Sequence, residues 1–195
     1  MKQLPIGDGI TISDYELRSN KPNIVTTSHN EKVDALYRNI QYYSGKITLF
    51  ARHKTAKRKL EAFLESIDGQ QETFELFIPD INSSLQHISG VPALRAEYPA
   101  GTSRISFYGY SGRISAGDYF RLSNDNKLYR ALEDATSNQS FDISPSLRKA
   151  HRARIKGIFS GFGLVVRLEQ NYFTVTAEKG STQAMKVTLK FKEAL

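Results

Sequence analysis

The sequence predicts a mainly β protein with one principal α-helix, in which a discontinuous β-sandwich or barrel domain carries a small inserted β-barrel. Three observations predict it. Only Leu60 to Ile67 spaces its apolar residues for a helix, whereas period-2 alternation recurs through the strands on either side. A central tract of short strands and frequent glycines separates two tracts of different texture. The helix also needs a broad sheet to cover. The segments before it supply few long apolar strands, while those after Gly163 supply three, so the two ends are expected to complete one core.

Taken in order, a Gly/Pro leader precedes a first strand at Ile12 to Leu17, and Asn20 to Asn23 reads as a turn. Val33, Ala35 and Tyr37 alternate with Asp34, Leu36 and Arg38. Ile47 and Leu49 do the same after Gly45, so two strands are expected to flank a turn-like Tyr42-Tyr43-Ser44-Gly45. Leu60, Phe63, Leu64 and Ile67 follow the i, i+3, i+4, i+7 spacing that places all four on one buried face. Thr55 is the expected N-cap and Gly69 the left-handed C′ residue, giving a helix over 56–68. Next, Phe74, Leu76 and Ile78 alternate with Thr73, Glu75 and Phe77, and Pro79 ends the strand because it cannot donate to a ladder.

Asp80 to Gly101 has the polar, Gly/Pro composition of a connection, with a domain boundary expected at Gly90 to Pro92. Beyond it, Ile105 and Phe107, Phe120 and Leu122, Leu128, and Phe141 and Ile143 mark short strands. Gly109, Gly112, Gly117 and the turn Asn124-Asp125-Asn126 separate them, which suggests a small barrel over 92–159. Gly157, Gly161 and Gly163 precede the return of longer strands: Leu164, Val166 and Leu168; Phe173 and Val175; and Met185, Val187, Leu189 and Phe191. The expected domains are therefore 1–91 with 160–195, and 92–159.

Composition narrows the chemistry. An apolar content of 39% supports a real core, and 0 Cys excludes disulfides and thiolate metal sites. His29, His53, His87 and His151 have no ligand spacing, so neither a metal nor a cofactor is expected. No apolar run is long enough to span a bilayer and the first residues lack a signal-peptide core, so a soluble protein made in the cytoplasm is expected. Gly161-Phe162-Gly163 is too short for a dinucleotide fingerprint, and Asp118, Asp134 and Asp142 read as turn residues rather than acid–base carboxylates. Nothing here calls for an enzyme.

The net charge of +7 is localised. Residues 52–59 and 148–156 each carry five Lys or Arg and no acid, and the rest of the chain balances 17 bases against 20 acids. Solvated faces or partner-binding patches would both read this way. One feature favours partner binding: Lys54, Lys57, Arg58 and Lys59 crowd a helix start, where the macrodipole disfavours cations by about 0.3–1 kcal/mol each. The candidate interaction residues are those four together with Arg148, Lys149, Arg152, Arg154 and Lys156. His53 and His151 are expected to extend the same positive surfaces. Tyr108, Tyr110, Tyr119 and Tyr129, set among Arg104, Arg113, Arg121 and Arg130, could be barrel filler or the stacking face of an oligonucleotide- or oligosaccharide-binding (OB) fold.

The helix end AFLESIDG at 62–69, the strand ETFELFIP at 72–79 and the terminal FKEAL at 191–195 resemble the distal tail proteins of long-tailed bacteriophages. SGRISAGDYFRLSNDNKLYRAL at 111–132, with ISPSLR at 143–148, is similar to the OB-like domain inserted in those proteins. The resemblance covers roughly 30–80 and 160–195, with the middle fitting the insertion. It implies a ring-forming β-domain and a structural, non-catalytic protein of the virion. Such a protein assembles as a hexameric ring at the distal end of the tail tube, between tube proteins and tail-tip hub, baseplate or fibre proteins. The chain has no tryptophan, and no long extra domain for binding a host receptor or carbohydrate is expected.

Overall fold

The computed structural model describes residues 2–27, 33–36, 40–177 and 184–194. In chain order the elements are β1 (Lys2–Gln3), β2 (Ile10–Asn20), β3 (Ile24–Thr27), β4 (Val33–Leu36), β5 (Tyr42–Ala51), α1 (Lys54–Ser66), β6 (Phe74–Leu76), β7 (Ser89–Leu94), β8 (Arg104–Ser111), β9 (Tyr119–Leu122), β10 (Leu128–Ala131), β11 (Ser140–Ser144), β12 (Gly157–Ile158), β13 (Leu164–Leu168), β14 (Val175–Ala177) and β15 (Met185–Glu193). The protein is mainly β, with α1 the one helix among the described residues. His29 and Tyr37 lie outside those residues. The chain divides into two compact units, one of residues 1–19, 42–77 and 163–195, the other of residues 20–41 and 78–162.

The first unit is a seven-stranded sheet in the order β1-β6-β13-β15-β5-β2, with β14 also paired to β15. The alternation of β15 explains its central place: Met185, Val187, Leu189 and Phe191 are buried while Lys186, Thr188, Lys190 and Lys192 are exposed. It runs antiparallel to β5 in unbroken register from Met185↔Ala51 to Lys192↔Ser44. Tyr42 to Gly45 is therefore strand, not turn. The glycine is there because β2 passes close by: a Cβ on Gly45 would lie 1.9 Å from the Glu16 carbonyl oxygen.

Helix α1 starts earlier than expected, because His53 rather than Thr55 is the cap. His53 is extended (φ −145°, ψ 165°) and its Nδ1 accepts the Ala56 N–H at 3.2 Å. At the other end Asp68 and Gly69 both take positive φ, 46° and 61°. The buried face is Ala56, Leu60, Leu64 and Ile67. Phe63, expected in that core, is only half-buried and meets Phe74 edge-on at 5.6 Å.

In the second unit β3 pairs antiparallel with β4, and six strands in the order β12-β9-β10-β11-β8-β7 form a nearly closed barrel. Bridges Ala93↔Lys156 and Tyr98↔His151 close the seam between its end strands. β8 precedes the meander β9-β10-β11 yet lies beside its last strand, a Greek-key arrangement. Phe107, Phe120, Phe141, Phe159 and Tyr129 fill the interior, with Phe107 and Phe120 at 5.6 Å and Phe120 and Phe159 at 5.0 Å.

The expected connection at Asp80 to Gly101 contains β7, and the expected boundary at Gly90 to Pro92 falls inside that strand. The signal there belongs to a β-bulge: register shifts between Gly90 and Ala93, and Gly90 has φ 97°. Gly157 likewise serves the barrel, since a Cβ on it would come within 2.7 Å of the Phe107 ring. The units divide after Phe77 and after Phe162 instead, and also after Ser19 and after Gln41, so residues 20–41, expected in the first domain, belong to the second unit.

Candidate functional site

At the start of α1 the four predicted cations do not form one free cluster. Lys59 Nζ reaches Asp8 at 3.0 Å and Lys57 Nζ reaches Glu61 at 3.9 Å, whereas Lys54 and Arg58 are exposed with no ion pair among the described residues. The leader holds Asp8 in place. A Cβ on Gly9 (φ 89°) would meet the His53 ring at 2.4 Å, and Gly9 O accepts the Arg52 N–H at 2.9 Å. His53 thus serves the helix start as its cap, and the first turn carries no acid.

The second basic run splits more sharply. Arg148 Nη2 donates to Asp125 Oδ1 at 2.8 Å, and Lys149 Nζ donates to the Asn124 carbonyl. His151, expected at the surface, is buried; its Nδ1 lies 3.0 Å from Asn124 Oδ1 and its Nε2 has no hydrogen bond. Its ring is pulled inward by the His151↔Tyr98 bridge that closes the barrel. Arg152, Arg154 and Lys156 remain exposed and unpaired among the described residues.

Asp125 is the hub of this region. The sequence suggests only a turn there, but its carboxylate is sealed from solvent. It accepts from Arg148, from the Tyr129 hydroxyl at 3.0 Å and from the Lys127 N–H at 3.2 Å. Burial alone would push its pKa up, but the Lys127 N–H, the Tyr129 hydroxyl and the Arg148 guanidinium together hold it below the usual aspartate value. Lys127 is buried too, and its Nζ donates to the Gln41 carbonyl at 2.9 Å.

The remaining candidates have structural positions. Asp118 accepts the Ser115 and Leu85 N–H groups, each at 2.7 Å, Asp134 accepts the Ala116 N–H at 2.7 Å, and Asp142 pairs with Arg104 at 3.0 Å. Tyr129 and Tyr110 are core residues, and burial raises the Tyr110 hydroxyl to about 12. Tyr108 and Tyr119 are half-buried, with Arg130 over the Tyr119 ring at 5.1 Å. Gly161-Phe162-Gly163 runs into strand β13, not into a helix. Among the described residues there is no cluster of metal-ligating side chains and no helix long and apolar enough to cross a membrane.

One feature escapes sequence reading. A cleft of about 430 Å³ opens on the barrel unit between residues 83–92 and 156–160, with Leu85 (70% exposed) and Val91 (53% exposed) on its walls. Nothing in the alternation pattern distinguishes these two from core residues. No family model matches the chain, and no curated protein matches it.

Proposed function

We propose that this chain is a structural protein of a long-tailed phage, forming a hexameric ring at the distal end of the tail tube. In that position it joins tube proteins to tail-tip hub or fibre proteins and catalyses nothing. One observation carries the reading. Two groups of residues that resemble distal tail proteins, 62–77 and 191–195, lie more than a hundred residues apart, yet they belong to one unit: the end of α1, β6, and β15, with β13 paired to both β6 and β15. A long strand, β2, forms one edge of that sheet and supplies a surface on which a neighbouring subunit can continue it. The alternative, an oligonucleotide- or oligosaccharide-binding barrel, has less behind it, because Tyr110 and Tyr129 are enclosed in the core rather than offered for stacking. Sedimentation velocity and class-averaged negative-stain images of the full chain over a concentration series test the proposal. Six-fold rings support it. A chain that stays monomeric at every concentration and is missing from purified particles by mass spectrometry overturns it.

A further inference from the structure

The loop bordering the cleft on the barrel unit, Ser83 to Ile88, makes hydrogen bonds within itself and to the barrel: Leu85 N–H donates to Asp118 Oδ1 at 2.7 Å and the Ser84 hydroxyl donates to the Gln86 carbonyl at 2.6 Å. The His87 carbonyl sits so close to Gly112 that a Cβ there would lie 2.3 Å away. This hydrogen-bonded backbone nevertheless leaves the Leu85 and Val91 side chains largely in water, beside a half-buried Ile88. A loop whose backbone is hydrogen-bonded before contact loses less conformational freedom on binding.

The charge around the cleft is of one sign. No acid lines it, and its titratable residues are His87 and Lys156. Arg154 and Arg152 are exposed at the turn that precedes Lys156 in the chain, while His151 and Gly157 are buried. None of the three cations has an ionic partner among the described residues. Arg154 also holds φ 69°, a left-handed conformation that a side chain disfavours.

We propose that this surface docks an extended segment of a partner protein in which apolar side chains are followed by acidic ones. Leu85, Ile88 and Val91 take the apolar part, and Lys156, with Arg154 and Arg152 at the turn before it, takes the acidic part. The lining favours a peptide over a nucleic acid or a sugar, since its one aromatic ring, Phe159, is buried and offers no stacking platform. The inference stands independently of the tail-ring reading.

The test uses the full chain and short synthetic peptides as probes. One set places Leu and Val before Asp and Glu, a second replaces the acids with Lys, and a third keeps the acids alone; oligothymidylate and a heparin oligosaccharide serve as polyanions. The apolar–acidic set should bind saturably. Its affinity should fall about tenfold in Leu85→Ser with Val91→Ser, and again in Arg154→Gln with Lys156→Gln. Lys54→Gln should change nothing. All of these side chains are exposed, and circular dichroism verifies that the variants fold. The proposal is overturned if no apolar–acidic peptide binds, or if binding ignores both double variants. It is equally overturned if oligothymidylate or heparin binds in a way that depends on the cations but not on Leu85 and Val91.

Discussion

His151 Nε2 stands 3.6 Å from Asp125 Oδ2, and both side chains are sealed from solvent. Burial lowers the histidine pKa; the Asp125 carboxylate raises it, while Lys149 and Arg148 lower it further, and the net result lies below the ordinary value of 6.5. The folded protein therefore holds this proton less tightly than the unfolded chain. The neutral ring's contribution to stability is fully present above about pH 6.5 and is lost as pH falls toward the lower folded pKa. Melting temperature should drop on acidification through that window, and His151→Gln should flatten the slope there. A second loss, from protonating Asp125, belongs below pH 3.8.

Asp125 should be the costliest polar position in the barrel. Asp125→Ala leaves the Tyr129 hydroxyl and the Lys127 N–H without their acceptor inside the barrel, at about 1–3 kcal/mol for each stranded group, and leaves the partly exposed Arg148 without its carboxylate. Arg148→Ala should cost less, because its side chain is 39% exposed and Asp125 retains its other two donors. Denaturant titration of the two variants gives the order. Equal losses would mean that the carboxylate's other two donors add nothing.

How far the sequence could be read follows from which physics leaves a linear trace. The helical spacing of Leu60, Leu64 and Ile67 and the alternation of Met185 to Phe191 are local, and both predict the observed elements. Gly45, Gly90 and Gly157 mislead because a glycine demanded by the close approach of another strand or ring looks the same as one that turns the chain. The candidate surfaces are half legible for a related reason. Charge runs show where cations are, but Arg148 is tied to Asp125 across 23 positions and His151 is drawn inward by Tyr98, pairings with no sequence period. Leu85 and Val91 could not have been found, since an exposed leucine and a buried one are the same letter.

Within the helix the two apolar kinds of residue should respond unequally. Leu64 is 2% exposed, and Leu64→Ala should cost about 2–5 kcal/mol through lost burial and the cavity left behind. Phe63 is half-buried and edge-on to Phe74, so Phe63→Ala should fall below the range of about 3–5 kcal/mol expected for a core aromatic. Chemical denaturation of both variants decides it. A larger loss for Phe63 would show that its contact with Phe74 outweighs the solvent it leaves exposed.

The last prediction concerns residues 78–162. The chain leaves the first unit after Phe77 and returns at Gly163, yet Leu76 and Leu164 are directly paired, as are Glu75 with Val165 and Phe74 with Val166. The pairing is antiparallel, so the two strand ends are placed as the arms of a hairpin, and Gly163 N–H already donates to Glu75 Oε1 at 3.2 Å across the gap. A two-residue Asn-Gly turn matches the twist of such a pair. Replacing 77–163 with Asn-Gly should therefore leave a sheet unit that melts cooperatively and retains α1 and β15. Loop closure does not oppose this, since each halving of a loop changes the closure cost by only about 0.6 kcal/mol. Truncation after Phe162 should behave in the opposite way, because it removes β13 and β15, and β15 is the strand on which β5 is registered over eight residue pairs. Circular dichroism melts of the two variants separate the possibilities. If the truncated chain melted cooperatively and the Asn-Gly variant did not, the sheet unit would not be closed by its two ends.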